Sequence, residues 1–485
     1  MKRKMIALLL ACTLSLTVCG CGEQADGSQN APESTDTASQ QDNSDSEAET
    51  TVEVTEQDEA SDGEDVTIKF LYYADDTQKA IIESACAAYE ESHPGITIEQ
   101  TVVPADGSIT TTIATLASSN DLPDISYMAE ADVIKYADAG VLYSLDDAIA
   151  DGTIGEKLDS VTIRGLDGKT YGIGLSNQLI FMYYNKDIFD EYNIEYPSTL
   201  VEEAWEWDEF VDIAKKLTVD AGGNHPGDAG FDASQIEQYG VAFNSMYQFQ
   251  YMWAAYANGG GIVSADGTEL LWDKTESIEG IQKIADLFNV DQVAPATTSS
   301  LVSSIGSADK AMISGDVAMY INGSWDLSNV INANKEAGVN YGVAVLPKMQ
   351  KAMTMNCGGP AVMFNTTQHP KEVLEFYSYM MDPERVVDIL KTGAWLPNEA
   401  AWYTDEDKIA LWTSGENVTE EAKEVILSYT NTEGAIAQWP VYYVPGWGDM
   451  MSISDSVMDS VWNGSSTVES ALSPVMDEIK SEFAR

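Results

Sequence analysis

Large aromatic residues stand in parts of the sequence that are rich in turn-forming residues. Residues 317–329, VAMYINGSWDLSN, start as an alternating apolar strand and then place Trp325 among Asn, Gly, Ser and Asp. The same context recurs in YYA, FNSMYQFQYMW, TGAWLPNE and YYVPGWGDMM, which contain Tyr73, Tyr247, Phe249, Trp395 and Trp447. Flat aromatic faces beside Asn, Asp, Gln and Gly suit sugar rings, whose C–H faces stack while their hydroxyls need directional polar partners. Any one of these rings could belong to a core, and it is the repeated turn context that indicates a binding surface.

The sequence lacks the motifs of common catalytic sites. It has no G-x-S-x-G, no G-x-x-x-x-G-K-[ST], no H-E-x-x-H and, in the folded part, no C-x-x-C. His93, His225 and His369 each precede a proline in loop-like text, which predicts surface positions. Acidic pairs are expected by chance in so acidic a chain, so they give little weight to a glycosidase. A secreted carbohydrate-active enzyme stays open as the alternative function. We predict no enzyme activity, no cofactor and no metal site.

The balance of charges is strongly acidic. The chain has 25 Lys and Arg against 79 Asp and Glu, a formal net charge of -54. Such a field repels nucleic acids, polyanions and anionic lipid surfaces, which excludes them as main partners. An acidic cleft would also suit ammonium groups, so a binder of peptides or polyamines stays open beside a binder of sugars.

The first residues have the pattern of an export signal. Lys2, Arg3 and Lys4 precede MIALLLACTLSLTV, an apolar run of 14 residues, shorter than the roughly 18 residues that a spanning helix needs. The run ends in VCGCG, which resembles the lipobox of bacterial lipoproteins, with Gly20 before Cys21. We therefore predict a signal peptide over residues 1–20 and lipidation at Cys21. Ordinary secretion with release is the alternative.

An acidic segment follows the lipidated cysteine. Residues 22–65 contain 15 Asp or Glu and no Lys or Arg, with Ser, Thr, Gln and Gly filling most other positions. Such a segment has too little apolar surface to fold, and its like charges extend it. We predict that residues 21–65 form a disordered tether with no binding role.

The rest of the chain alternates strands and helices. VTIKFLYYA is a predicted strand, TQKAIIESACAAYEESHPG a helix stopped by Pro94 and Gly95, and ITIEQTVVP a strand again. This βαβ opening indicates an α/β fold with parallel crossovers. LPDISYMA and the long, nearly continuous KTYGIGLSNQLIFMYYN predict more strands, while WDEFVDIAKKLT, residues 370–392 and residues 455–484 predict helices. About 420 residues exceed what one core usually serves, so two lobes are expected.

Several phrases of the sequence together resemble a known family. They are LPDI, YADAGVLYSLDD, YGIGLSNQLIFMYYNKDIF, WDEFVDIAKKLT, ANGGG, GDVAMYINGSWDLSNV, YGVAVLP, GGPAVMFN, KEVLEFYSYMMDPE and TGAWLPN, in family order. Over residues 66–485 the chain resembles the extracellular solute-binding proteins of ABC importers, in the carbohydrate branch that includes maltose-binding protein. The resemblance implies the type II periplasmic-binding-protein-like fold, with two α/β lobes, hinge strands and an interlobe cleft. It implies a first lobe of residues 66–176 plus 361–398, a second lobe of residues 177–360 plus 399–485, and crossings near Asn177, Pro360 and Asn398.

The resemblance also implies a set of ligand-binding residues. In the family, the ING-x-W turn places its Trp against the sugar ring, and Trp325 matches that position. Met128 lies where maltose-binding protein has an aromatic residue, which counts against maltodextrin as the ligand. The implied site comprises Tyr73, Asp75, Met128, Glu130, Asn177, Gln178, Tyr247, Phe249, Asn322, Trp325, Asp326, Gly358, Gly359, Trp395 and Trp447.

The mechanism implied by the resemblance is capture, lobe closure and delivery, with no bond broken. The expected partners are a small carbohydrate and the permease subunits of an ABC transporter, with the protein a monomer held at the extracellular face of the cell membrane by its lipid alone. Cys86 and Cys357 are the cysteines of the body of the chain. A bridge between them stays open, because a sequence gives no distance between two sulfurs.

Overall fold

The structure, a computed structural model, describes residues 65–104, 107–243, 248–295 and 314–484. The predicted signal peptide, the lipidation site Cys21, all but the last residue of the tether, and Tyr247 lie outside these residues. Phe249 lies within helix α7, and only its backbone is described.

Two sheets are formed by the strands of the described residues. The strands are β1 (Val66–Ala74), β2 (Ile96–Pro104), β3 (Ile125–Tyr127), β4 (Thr162–Arg164), β5 (Thr170–Gly174), β6 (Gln178–Asn185), β7 (Val219–Asp220), β8 (Ile236–Phe243), β9 (Val317–Gly323), β10 (Tyr341–Ala344), β11 (Thr354–Cys357), β12 (Pro360–Met363) and β13 (Ile436–Ala437).

Helices cover the sheets and fill the segments between strands. They are α1 (Asp76–Ser92), α2 (Ile109–Ser118), α3 (Glu130–Asp138), α4 (Asp146–Ala150), α5 (Lys186–Glu191), α6 (Trp207–Leu217), α7 (Gln248–Ala257), α8 (Thr275–Asn289), α9 (Leu327–Ala337), α10 (Pro370–Met381), α11 (Val387–Lys391), α12 (Glu406–Trp412), α13 (Glu420–Thr430), α14 (Trp447–Trp462), α15 (Val468–Leu472) and α16 (Met476–Phe483). Short 3₁₀ turns include Ser324–Asp326 and Pro440–Tyr442.

The first sheet has the strand order β2-β1-β3-β12-β5-β4. Strand β1 pairs in parallel with β2 and β3, as the predicted βαβ opening requires, whereas β12 runs antiparallel to both β3 and β5. The capping box of Asp75 and Gln78 starts helix α1 directly after β1, because the Asp75 side chain accepts from the main-chain N–H of Gln78 at 2.8 Å.

The second sheet has the order β13-β11-β6-β9-β8-β7, and β10 also pairs with β6. Its central strands β6 and β9 are buried almost throughout, and they read as apolar runs in the sequence. Together the two sheets and their helices confirm the predicted α/β fold with two lobes.

The chain crosses between the sheets in short segments. Leu175, Ser176 and Asn177 join β5 of the first sheet to β6 of the second, and Gly358 and Gly359 join β11 to β12. The prediction of one nearly continuous strand over residues 169–185 is therefore wrong, because these residues form two strands in different lobes. The predicted lobe boundaries stay a prediction, although Pro360 already belongs to β12 of the first sheet.

Most predicted helices are present, with breaks that the sequence prediction missed. Residues 370–392 form α10 and α11 rather than one helix, and the segment Asp382–Val386 that separates them contains Pro383. Helix α14 begins at Trp447, eight residues before the predicted start at 455. In the described part of the chain, no helix has both the length and the apolar character to cross a membrane.

Candidate ligand-binding cleft

A cavity of about 320 Å³ lies between the two lobes, where helix α3 of the first faces helix α14 of the second. Its ionisable lining side chains are Glu130 and Asp455, and its large apolar ones include Trp439, Trp447 and Met451. The full lining consists of Ala129, Glu130, Ala131, Gln248, Trp439, Val441, Trp447, Gly448, Met451, Ser452 and Asp455.

Glu130 is the first residue of helix α3, a position where the helix dipole favours an acid. Burial nevertheless raises the pKa of its carboxyl group to about 7, and the nearby Asp132 adds to the rise. The charge of Glu130 in turn raises the pKa values of Tyr73, Cys357 and Tyr442, whose larger shifts come from burial. Glu130 therefore links the cavity to the hinge crossing beside it.

Trp447 begins helix α14 and is 2% exposed. Its indole Nε1–H donates to Oε1 of Gln248 at 3.0 Å, and both residues line the cavity. A buried indole N–H needs such an acceptor, and here the acceptor comes from helix α7. The ring is thus held in the cavity wall by a side chain from another element.

The crossing at Gly358 and Gly359 is enclosed by tyrosines from both lobes. The Tyr442 hydroxyl donates to the Gly358 carbonyl at 2.7 Å. A Cβ atom at Gly359 would lie 1.9 Å from the Tyr73 hydroxyl, and one at Gly358 would lie 2.1 Å from the Ser176 carbonyl oxygen. Gly358 therefore has no room for a side chain, because its neighbour is backbone, whereas a side chain at Gly359 would require Tyr73 to move.

Asn177, Gln178 and Trp395 lie where the crossing after β5 meets the segment 394–396. The main-chain N–H of Asn177 donates to the Leu396 carbonyl at 3.2 Å, and Gln178 Nε2 donates to the Ala394 carbonyl at 2.8 Å. Trp395 is buried, and its ring centroid lies 6.2 Å from that of Tyr127. The main chain of Asn177 and the side chain of Gln178 thus fasten this crossing to the segment 394–396.

Trp325 lies in the 3₁₀ turn that follows strand β9, and it is partly buried. Its ring covers Gly323 so closely that a Cβ there would lie 2.0 Å from the indole. Asn322 and Asp326 are buried and hydrogen-bonded to each other through Asn322 Nδ2. Gln250 Nε2 donates to Asn322 Oδ1 at 2.7 Å, so helix α7 also supports this turn.

The two remaining first-lobe candidates, Asp75 and Met128, contact other parts of the fold and not the cavity. Asp75 is exposed and caps helix α1. Met128 is fully buried, and its amide donates to the Pro360 carbonyl at 2.9 Å. Neither is among the residues that line the cavity.

The structure thus places the predicted residues in distinct groups. Glu130 and Trp447 line one cavity, Tyr73 meets Gly358 and Gly359 at the crossing beside it, and Trp325 lies with Asn322 and Asp326 at the end of β9. Sequence reasoning missed Gln248, Gln250, Trp439 and Tyr442. The stretch QWPVYYVPGW, aromatic and turn-forming like those already singled out, contains two of them.

The site has no arrangement suited to metal chemistry within the described ranges, since no three His, Cys, Asp or Glu side chains there are placed to hold a metal ion. Cys86 and Cys357 are both buried and free. What the cavity offers is carboxyl groups, an amide and flat indoles, which can bind polar groups and ring faces together.

Two lobes joined by short crossings around a lined cleft define a solute-binding protein. The chain belongs to the bacterial extracellular solute-binding protein family, whose model matches residues 84–419. A relative from Brucella abortus, described as a binding protein, is 24% identical over 398 residues, which are 80% of this chain and 86% of the relative.

Solved structures share the fold. The ABC substrate-binding protein of Listeria monocytogenes in complex with cycloalternan has a TM-score of 0.67 and 21% identity, covering 86% of this chain and 99% of that one. The maltose/maltodextrin-binding domain of Bdellovibrio bacteriovorus bound to maltotriose has a TM-score of 0.63 and 18% identity, covering 87% and 100%. At these identities the likeness extends to the two-lobed architecture.

Proposed function

We propose that the protein captures an oligosaccharide in the cleft between its lobes and delivers it to the permease of an ABC importer. The observation that carries this proposal is the interlobe cavity in which Glu130 of the first lobe faces Trp447 and Gln248 of the second. An indole face suits the C–H face of a sugar, and carboxyl and amide groups suit its hydroxyls.

The family and its relatives support a sugar as the ligand. The Listeria protein was solved with cycloalternan and the Bdellovibrio protein with maltotriose, both oligosaccharides. Those ligands are properties of those proteins, and the proposal for this chain is a sugar of the same class, with its length and linkage left to experiment.

Lobe closure is the proposed mechanism. A ligand that touches both α3 and α14 gains its full set of contacts only when the lobes are together, so binding shifts the equilibrium toward the closed state. The permease then distinguishes the closed state from the open one. No bond needs to break, and we propose that the protein is not an enzyme.

The acidic side chains of the cavity favour a second candidate function, the binding of a cationic ligand. Its ionisable lining residues, Glu130 and Asp455, are both acidic. A cationic ligand such as a polyamine would pair with them if they are ionised. The pKa of Glu130, raised to about 7, leaves much of this carboxyl protonated at neutral pH, which suits a neutral sugar better.

We also propose that the protein acts as a monomer at the outer face of the cell membrane. The signal-peptide pattern and the VCGCG junction support a lipid on Cys21 as its anchor, and the acidic segment 21–65 supports a tether between lipid and lobes.

A ligand panel tests the function. Purified protein without the signal peptide is mixed with maltotriose, lactose, cyclic glucans, spermidine and short peptides, and binding is measured by thermal shift and then by calorimetry. We expect a sugar to raise the melting temperature, because its binding adds RT ln(1 + [L]/Kd) to the free energy of unfolding, and to be recovered uncleaved. Stabilisation by spermidine alone would favour the second candidate. An activity that produces new reducing ends and copurifies with the protein would indicate an enzyme.

A further inference from the structure

The first turn of helix α7 holds two buried glutamines, Gln248 and Gln250, which are 5% and 1% exposed. Residues two positions apart on an α-helix point about 200° away from each other. The two side chains therefore leave the helix on opposite sides, one toward helix α14 and the other toward the end of strand β9.

Gln248 reaches the cavity wall. Its Oε1 accepts the indole N–H of Trp447 at 3.0 Å, and its side chain lines the cavity beside Asp455. The amide group also has a hydrogen bond with the Asp455 carboxyl. Burial raises the pKa of Asp455, and this hydrogen bond opposes part of the rise. Gln248 thereby connects an aromatic face and an acidic group of the same wall.

Gln250 reaches the turn that contains Trp325. Its Nε2 donates to Asn322 Oδ1 at 2.7 Å, which fixes the orientation of the Asn322 amide. Asn322 Nδ2 then points to Asp326 and to the Tyr320 hydroxyl, 3.3 Å away. The position of the turn at Ser324–Asp326 thus depends on a chain of hydrogen bonds that starts on α7.

Apolar packing of helix α7 does not by itself require amides at these positions. The following residues of α7, Tyr251, Met252, Trp253 and Ala254, are all buried, so the helix has an extensive apolar surface for packing. Replacing either amide by an apolar side chain would leave its buried partner unsatisfied, and the amide also fixes which partner lies where. Orientation of the partners is what the two glutamines add.

We infer that Gln248 and Gln250 are positioning residues of the ligand site, Gln248 holding the Trp447 indole in the cavity wall and Gln250 holding the Asn322–Asp326 turn that presents Trp325. The expected effect on ligand binding rests on the proposed function. The expected effect on the two indoles concerns the unliganded protein and does not. One helical turn then sets the relative placement of the two indoles.

The structural part is tested by NMR on unliganded protein with ¹⁵N-labelled tryptophan. The indole N–H signals are assigned by Trp447→Phe and Trp325→Phe. We expect Gln248→Met to move the Trp447 signal and speed its exchange with solvent, while Gln248→Glu, which keeps an acceptor oxygen, retains slow exchange. We expect Gln250→Met to move the Trp325 signal and leave that of Trp447 in place. Unchanged indole signals in both Met variants would overturn the inference.

The binding part uses calorimetry with maltotriose as the probe. We expect Gln248→Met and Gln250→Met each to weaken binding about tenfold, the loss expected when a hydrogen bond no longer holds a contact group in place. The matched control is Gln282→Met on helix α8, which loses the bonds of Gln282 to Asp286 and Val468, at 2.8 and 2.9 Å, outside the cavity lining.

The control variant should bind maltotriose as the wild type does. Equal weakening in all three variants would mean a general loss of structure and would contradict a positioning role, as would unchanged affinity in the two α7 variants. Failure of the wild type to bind maltotriose counts against that sugar under the proposed function, and the indole signals then decide the positioning role by themselves.

Discussion

The Tyr442 hydroxyl, from the segment between β13 and α14, donates a 2.7 Å hydrogen bond to the carbonyl of Gly358 in the crossing between β11 and β12. Both residues are buried. A side chain of the second lobe therefore fastens the backbone at the point where the chain passes to the first. This contact lies close to Glu130, whose charge acts on the same hydroxyl.

Tyr442→Phe should destabilise the protein by about 1 kcal/mol, because it leaves a buried carbonyl without its donor. Denaturant unfolding measures this loss. The matched control is Tyr377→Phe, which removes a 2.9 Å bond to the Ala361 carbonyl within the first lobe. We expect a similar loss of stability in the control, but a change in ligand affinity only for Tyr442→Phe. Equal affinities in both variants would contradict a role of the contact in the hinge.

Gly359→Ala should destabilise the protein by roughly 1–3 kcal/mol, because the new methyl group would overlap the Tyr73 hydroxyl. The double variant with Tyr73→Phe removes the oxygen that clashes. We expect it to recover much of the lost free energy of unfolding, giving a favourable coupling energy in a double-mutant cycle. If the two changes are simply additive, the close approach of Tyr73 to Gly359 is not what excludes a side chain there.

Glu130 should make stability fall as the pH rises. Burial raises its folded-state pKa to about 7 from a model-peptide value of 4.5. Between these values the folded protein holds a proton that the unfolded chain has lost, so the stabilisation is complete below about pH 4.5 and is lost as the pH rises through 7. The effect is at most about 3 kcal/mol.

Comparison with Glu130→Gln isolates this effect, because the amide does not titrate. The free energy of unfolding of the wild type relative to this variant should decline between pH 5 and pH 8. A flat difference over this range would show that the Glu130 carboxyl is already ionised in the folded protein.

Cys21→Ala should release the protein into the culture medium, because the lipobox cysteine is the proposed site of lipidation. Fractionation of cells and medium measures the release. Cys19→Ala is the control two residues away, and it should leave the protein in the membrane fraction. Release of the Cys19 variant, with retention of the Cys21 variant, would place the lipid on Cys19 and contradict the proposal.

The sequence was sufficient to predict the fold where local pattern and topology agree. The first five residues of Val66–Ala74 alternate buried and exposed positions, and the strand continues directly into a capped helix, so strand β1 and helix α1 could be predicted from neighbouring residues. The apolar pattern did not show the break at Leu175–Asn177, because a strand buried in one sheet and a strand buried in the next have the same pattern. Only the family resemblance implied a crossing near Asn177.

The candidate site was less accessible to sequence reasoning. Trp447 and Trp325 were found because large rings in turn-rich text are unusual, but Gln248 and Gln250 carry no signal in an apolar helix. Their meaning depends on partners about 200 and 72 positions away in the chain, and only the packing of α7 against α14 and β9 brings these together. Residue type and spacing cannot give such distances.

The most direct test of the sugar-binding account is a paired measurement on Trp325→Ala, made with the sugar that binds the wild type. A ring that stacks on sugar contributes on the order of 2 kcal/mol, so affinity by calorimetry should fall about 30-fold, while the melting temperature of the unliganded variant should change little. A core tryptophan would behave in the opposite way, since its truncation costs roughly 3–5 kcal/mol of stability. A large fall in melting temperature with wild-type affinity in the folded fraction would contradict the assignment of Trp325 to the ligand site.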